Sequence, residues 1–590
     1  MWRRRIRQKA WVTMIRVLKM APMRWAAMAM VAALAASCSP QGSNPNGSGR
    51  DDRPMIVVGR SGLGAFLAGR LAQGQGDTAA AADYYAAALS RDPDNGDLLQ
   101  RAFTLMVTEG RMDGAVPMAR RLQDLDSESA MPVLVSGLAD VHDGLLVQAE
   151  SRFAALPRRG LNGLVGPLMS AWALAGQGRT DQALAALEPL AQSKGFAGVK
   201  AYHSGLINDL AGRHDAAEVA FSEALAGQLS IRGIEAAGSL YQRRNRSDQA
   251  RHLYERYQQE HPDTLLFDGN ALLKAGPALA PAVPDAQSGM AEALFDVASL
   301  MRQGNGQEAA VVFARLALYM RPDFPLARAI LGDMLSAQDR LDAANLVYGG
   351  IAPDAAAYYY GQMRMAVNQE ELGDTDAALT RLAKLAKDRP DSLDPLITRG
   401  DILRRKKRFA EAAEAYGAAI NRIGPALSVQ HWPLIYSRGI CLERIKQWDR
   451  AEADFKKALE LKPDQPDVLN YLGYTWVDAG INLDDGRAML EKAASLRPRD
   501  GAIIDSLGWA LYRLGDYHNA VKYLERAVEL KAEDPTINDH LGDAYWQVGR
   551  QAEAMFQWRR AMGLDPEPEM IEPLKEKLRT GQVPAKPVTK

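Results

Sequence analysis

Apolar and small residues recur along this chain at a fixed spacing, while the polar residues between them change freely. The stretch DSLGWALYRLGDYHNAVKYLERA, Asp505 to Ala527, is followed 34 residues later by DHLGDAYWQVGRQAEAMFQWRRA, Asp539 to Ala561. Cut into such units from residue 62, the chain has alanine at the twentieth position: Ala81, Ala115, Ala149, Ala183, Ala217, Ala250, Ala310, Ala344, Ala378, Ala412, Ala451, Ala520 and Ala554. Most steps are 34 residues; one is 33, one is 39 at the insertion GPALSVQH, and one 35-residue unit carries Gly486 instead. Self-similarity at this period marks a stack of supersecondary units.

The eighth position forms a second small column: Gly69, Gly137, Ala171, Gly205, Gly238, Ala298, Gly332, Ala366, Gly400, Gly439, Gly473, Gly508 and Gly542, with Phe103 as its one large member. Two small residues twelve apart, one per helix, predict two antiparallel helices in close approach with larger apolar side chains around them. Position fifteen holds Gly76, Gly110, Gly144, Gly178, Gly212, Gly373, Gly480, Gly515 and Gly549, with Asn245 and Asn305 standing in. Glycine or asparagine just past a helix end suits a left-handed C-cap. Prolines at unit ends (Pro93, Pro262, Pro322, Pro390, Pro463, Pro566) stop the second helix before the next begins.

Each unit is therefore expected to be helix, tight turn, helix. Fourteen of them span 62–568, interrupted by LLKAGPALAPAVPDAQSG. This Ala/Pro-rich stretch predicts a joint at 265–290 between an array at 62–264 and another at 291–568. EPEMIEPLKEKLRTG, from Glu567, reads as a capping helix, because the last repeat has no neighbour to cover its apolar face. Residues 569–590 are assigned to that helix and a disordered tail.

Charge is almost balanced, 71 Lys plus Arg against 72 Asp plus Glu. Residues 1–37 hold eight of the bases and no acid, so the rest of the chain is mildly acidic. An acidic body without a basic, aromatic-studded stripe excludes a nucleic-acid partner. The basic segment runs into the uncharged WAAMAMVAALAAS and then Cys38, which predicts a signal peptide over 1–37. The Gly/Ser/Asn/Pro-rich SPQGSNPNGSGRDDRP that follows predicts a flexible tether over 38–61. Only two cysteines exist, so no disulfide framework is available, and Cys441 falls within a repeat as a small half-buried thiol.

Candidate chemistry is sparse. The eight histidines form no HExxH or Cys/His set, and neither a GxSxG elbow nor a GxxxxGK[ST] loop occurs. GQGRTDQA and RQGNGQEA look phosphate-friendly in isolation, but both lie at helix-to-helix turns. The reading is a non-enzyme with no cofactor and no metal site.

The columns, most complete in LGWALY...A..YLERA and LGDAYW...EA..QWRRA, resemble the tetratricopeptide repeat (TPR) family over 62–568. The resemblance implies an all-α fold, a right-handed TPR α-solenoid of about fourteen helix-turn-helix repeats. It further implies that the second, fifth, ninth, twelfth and thirteenth positions of each first helix line a concave wall. Among these, Asn470, Tyr474, Asp478, Asp505, Trp509, Tyr512, Asp539, Asp543 and Trp546 are the expected partner-binding residues. Six of the seven tryptophans after Cys38 lie between Trp432 and Trp558. The register places Trp476 and Trp558 in the core, and Trp509 and Trp546 exposed on the wall beside acids, suited to a protein or peptide partner with basic and apolar groups.

LAASC resembles the lipobox of bacterial lipoproteins, which implies lipidation at Cys38 and, with Ser39 following, anchoring at the periplasmic face of the outer membrane of a Gram-negative cell. LNYLGYTWVDAGINLDDGRAMLEKA through DSLGWALYRLGDY resembles proteobacterial outer-membrane TPR lipoproteins, including the lipoprotein adaptor of a carboxyl-terminal processing protease. The expected function is a membrane-tethered scaffold, with a periplasmic protease and its cell-wall hydrolase substrates as partners. The alternative is a scaffold for envelope assembly in polysaccharide export, pilus or outer-membrane protein biogenesis.

Overall fold

The computed structural model describes residues 61–581 except 127, 128, 193, 194, 228, 263 and 305. The predicted leader, Cys38, most of the tether, Asn305 and the final tail lie outside the described residues. Those described form helices and turns, without a strand among them.

Units 1 to 6 are the pairs α1 Gly62–Gly74 and α2 Thr78–Leu89, α3 Gly96–Glu109 and α4 Met112–Leu125, α5 Ala130–His142 and α6 Leu146–Ala154, α7 Asn162–Gly176 and α8 Thr180–Ala186, α9 Ala197–Leu210 and α10 His214–Gly227, α11 Ile231–Arg243 and α12 Ser247–Glu260. One short helix, α13 Gly269–Ala275, stands alone in the joint. Units 7 to 10 are α14 Ala286–Arg302 and α15 Gln307–Met320, α16 Pro325–Ser336 and α17 Leu341–Gly349, α18 Ala357–Glu371 and α19 Thr375–Asp388, α20 Asp394–Arg405 and α21 Phe409–Ile423. Units 11 to 14 are α22 Trp432–Arg444 and α23 Trp448–Leu461, α24 Pro466–Ala479 and α25 Leu483–Leu496, α26 Gly501–Arg513 and α27 Tyr517–Leu530, α28 Pro535–Gln547 and α29 Gln551–Gly563. The cap is α30 Pro568–Thr580. Each pair packs on itself and, except between units 6 and 7 where the joint intervenes, on the next pair, an all-α solenoid.

The columns follow from this packing. All thirteen position-twenty alanines are 0 % exposed, which leaves no space for a longer side chain. The position-eight glycines face the residue at position twenty-four of the partner helix: a Cβ on Gly542 would lie 2.5 Å from the Trp558 ring, and one on Gly400 2.5 Å from Tyr416. Phe103 shows the same rule inverted. It is buried at position eight, and the facing position twenty-four is the buried Ala119, so ring and gap have exchanged helices.

The position-fifteen glycines all have positive φ, as does Asn245. Asp339, Lys407 and Lys446 occupy the same position with φ of 58°, 59° and 62°, left-handed without the glycine that conformation favours.

One arrangement departs from a simple stack. Helix α14 packs against α7 and α9, and α15 against α3 and α5, all of them first helices of units 2 to 5. The chain thus turns back after the joint and lays unit 7 along the inner face of its own N-terminal units. Helix α14 is buried on most sides, as an inserted helix must be. One buried apolar cluster therefore runs from Ala65 to Ala357.

Several polar groups inside this contact are paired across it. Glu292 of α14 is fully buried and accepts from Arg232 Nε at 3.0 Å, from the Tyr202 hydroxyl at 3.3 Å and from Arg321 at 3.4 Å. Trp172 Nε1 donates to His203 Nδ1 at 3.0 Å, which leaves the proton on Nε2, 3.2 Å from Asp296 of α14. Arg340 closes the far end on Glu109 at 2.8 Å.

Candidate functional site

The inner face of units 12 to 14 is built by α24, α26 and α28, which touch in succession. Because consecutive first helices lie side by side, a side chain at an inner position meets the next unit as well as open space. That second contact changes the reading of the wall.

Trp476 and Trp558 are buried, as the register requires. Trp509 is a correction: it is 6 % exposed and not an open aromatic. Its ring stacks on His540 of the next unit at 4.0 Å between centroids and on Tyr512 at 4.8 Å. Trp546 is half-buried, its ring 5.5 Å from that of Trp558, with Gly581 at the end of the cap against it. Cys441 is fully buried, more than the expected half, and burial pushes its thiol up to about 11.

The acids are paired, not waiting. Asp478 accepts from Arg513 at 2.7 Å, Asp505 pairs with His540 at 3.0 Å, and Asp543 with Lys577 at 2.7 Å. Each carboxylate is met by a base from the following element, a ladder through α24, α26, α28 and α30. Asp505 and Asp543 are buried, which corrects the expectation of exposed acids on the wall; Asp539 is half-buried and accepts from Lys577 at 2.7 Å. Burial lowers the pKa of His540, and the adjoining Asp505 carboxylate outweighs it, so the net shift is upward. Burial and the neighbouring Asp539 push the Asp543 carboxyl upward, with Lys577 opposing. Asn470, Tyr474 and Tyr512 are half-buried. Burial, then the charges of Asp478 and Asp505, raise the Tyr474 phenol. The predicted site residues are thus brought together, but as a largely self-satisfied surface whose open positions include Thr536 and Gln547.

His540, Lys577 and Arg513 were not among the expected site residues. A signal for Asp543 was present: in three units an acid at position nine is fifteen residues before an aromatic donor in the core. Asp333 accepts from Tyr348 at 2.6 Å, Asp401 from Tyr416 at 2.6 Å and Asp543 from Trp558 at 3.0 Å.

A cleft of about 1530 Å³ opens where the joint faces the loops between units 7 and 10. Leu272, Leu279, Phe324, Pro353 and Tyr358 give it apolar walls, and Arg251 and Asp391 are among the charges that line it. Among the described residues no group of three or more His, Cys, Asp or Glu is placed to hold a metal ion, and no helix is long and apolar enough to cross a membrane.

Family models described as tetratricopeptide repeat match residues 65–95, 236–264, 363–428 and 506–567. These stretches are tetratricopeptide repeats. They fall in units 1, 6, 9 to 10 and 13 to 14, and the helix pairs between them continue the TPR geometry. A TPR repeat-containing protein of Pseudomonas aeruginosa is 27 % identical over 191 residues, which are 32 % of this chain and 31 % of that protein. The match therefore spans about a third of the relative's length. Among solved structures, yeast Tom70 is 14 % identical with a TM-score of 0.30, covering 88 % of this chain and 95 % of that one. Cut9–Hcn1 of the APC/C is 13 % identical with a TM-score of 0.34, covering 82 % and 96 %.

Proposed function

We propose that this chain is a non-catalytic scaffold for protein partners, tethered through a lipid on Cys38 to the outer membrane and facing the periplasm. The TPR array supports the scaffold reading. The observation that carries the placement of its working surface is the return of α14 and α15 onto the N-terminal units. The inner face of units 2 to 5 is occupied by the chain itself. Among the described residues no helix pair is inserted in this way against the first helices of units 8 to 14. Partner binding is accordingly assigned to units 8 to 14. LAASC supports the tether, and the sequence around 466–561 supports an adaptor that presents cell-wall hydrolases to a processing protease. Holding both on one array would make their encounter effectively intramolecular.

The test uses the full chain with a photo-crosslinking residue at Gln547, on the open wall, or at Leu346, 71 % exposed on a second helix. Crosslinks from Gln547 to a periplasmic protease or its hydrolase substrate support the adaptor. Crosslinks to envelope-assembly components replace it with the alternative. Equal crosslinking from both positions would refute the assigned surface, and soluble, unlipidated protein from wild-type cells would refute the tether.

A further inference from the structure

The cap is held in an unusual way for a helix that covers an apolar face. Of the thirteen residues of α30, two are buried: Leu574 and Lys577. Lys577 reaches through to the inner face of α28, where its ammonium lies 2.7 Å from Asp539 and 2.7 Å from Asp543, 6.0 Å from the centre of the Trp558 ring. Its side chain is 6 % exposed. A lysine is rarely buried to this degree unless paired, and here two carboxylates and an aromatic face receive it.

The pocket needs that cation. Asp505, Asp539 and Asp543 converge on this end of the wall, and besides Lys577 the base facing them is His540, already paired to Asp505. Removing one partner of a buried ion pair leaves an uncompensated charge, so the socket without Lys577 must take another cation or protonate. The rest of the cap's attachment is modest. Met570 and Leu578 pack half-buried on either side of Leu574, and Pro573 interrupts the helix's own hydrogen bonding.

We propose that the socket of Asp539, Asp543 and Trp558 recognises a lysine presented by a partner's amphipathic helix, with an apolar residue three positions before it, and that α30 fills it as an internal stand-in. Leu574 and Lys577 are the pattern that the partner helix would reproduce, an apolar anchor and a cation on one helical face. Binding then begins with exchange of one helix for another, and the ladder of paired acids stays neutralised throughout. This rests on reading units 8 to 14 as the partner-binding part of the chain.

The probe is a fluorescein-labelled peptide of residues 567–581, EPEMIEPLKEKLRTG, titrated by anisotropy into the full-length protein. In the wild type the tethered cap competes at high effective concentration, so binding is weak. In full-length Lys577→Gln the peptide should bind at least tenfold more tightly. A peptide carrying Lys577→Gln should bind neither protein, and Asp543→Asn combined with Lys577→Gln in the protein should abolish the gain. Equal binding to wild type and Lys577→Gln, or binding indifferent to the peptide's Lys577, overturns the proposal. Because Lys577→Gln could unravel the last unit, hydrogen exchange on the wild type gives a second arm. Saturating peptide must accelerate exchange in 568–580 while 551–563 stays protected, and unchanged cap protection is equally fatal. The peptide reports the socket without any natural partner, so its failure leaves the scaffold reading standing, whereas absent crosslinks at Gln547 with an intact socket remove the scaffold surface.

Discussion

Trp558 donates its indole N–H to Asp543 Oδ1 at 3.0 Å, across the two helices of one unit. The same bond joins Tyr348 to Asp333 and Tyr416 to Asp401. Where position twenty-four is a tyrosine without an acid at position nine, a glutamine at position twelve serves: Tyr85 donates to Gln73 at 3.1 Å, and Gln242 donates to Tyr254 at 3.2 Å. Units 11 to 13, with Phe455, Leu490 and Leu524 there, carry no acid at position nine. An acid at position nine is therefore first a partner for a core aromatic, because a buried donor left unpaired costs about 1–3 kcal/mol.

The exchange of Phe103 and Ala119 predicts a double-mutant cycle. Phe103→Gly alone should open a cavity and cost about 3–5 kcal/mol, and Ala119→Phe alone should overpack by about 1–3 kcal/mol. The double variant should recover most of both losses, since it restores the pattern of the neighbouring units. Urea unfolding of all four proteins measures the coupling, and simple additivity would contradict the packing described.

Trp509→Ala should destabilise the C-terminal units by about 3–5 kcal/mol, because its ring is stacked between His540 and Tyr512 and not spread on an open wall. Thermal melting followed by far-UV circular dichroism reads this directly. A variant that melts like wild type would restore the ring to the surface.

Lys446→Gly should stabilise the chain by about 0.5–1 kcal/mol. The residue holds φ 62° at a helix C-terminus, where a left-handed side chain costs about 1–2 kcal/mol and the flexibility of glycine gives part of that back. Chemical denaturation against wild type checks it; a loss of stability would show that the Lys446 side chain contributes more than its backbone costs.

The folded-state pKa of His540 lies above its ordinary 6.5, since the adjoining Asp505, with Asp539 and Asp543 nearby, outweighs the burial that would lower it. Its contribution is fully present below pH 6.5 and is lost as pH rises through the raised value. Urea midpoints of the C-terminal units, followed by tryptophan fluorescence, should fall across that interval, and His540→Asn should flatten the slope.

Much of the fold was legible because the requirements are local. Gly549 is needed by one backbone angle and Ala520 by one close helix contact, and both recur every unit. The candidate site was less legible. A register says which way Trp509 points but not that His540, 31 positions on, lies flat against it. Lys577 sits beyond the last repeat, outside every column. The insertion of α14 was invisible for the opposite reason: its unit keeps the same small columns as its neighbours, so nothing in the repeat pattern separates a helix pair that covers another from one that is covered. The fifteen-residue spacing from Asp543 to Trp558, by contrast, was readable and explains why that acid is buried.

The return of unit 7 onto the N-terminal units also sets an order of events during synthesis. Repeat arrays ordinarily close each contact as soon as the next unit emerges, but Glu109 must wait for Arg340, 231 residues later. At about 5–20 residues per second the apolar inner face of α3 stays uncovered for roughly 10 to 50 seconds. The nascent chain therefore carries an open, sticky groove that the finished protein never displays, and whatever holds it in that interval acts on a surface that disappears on completion.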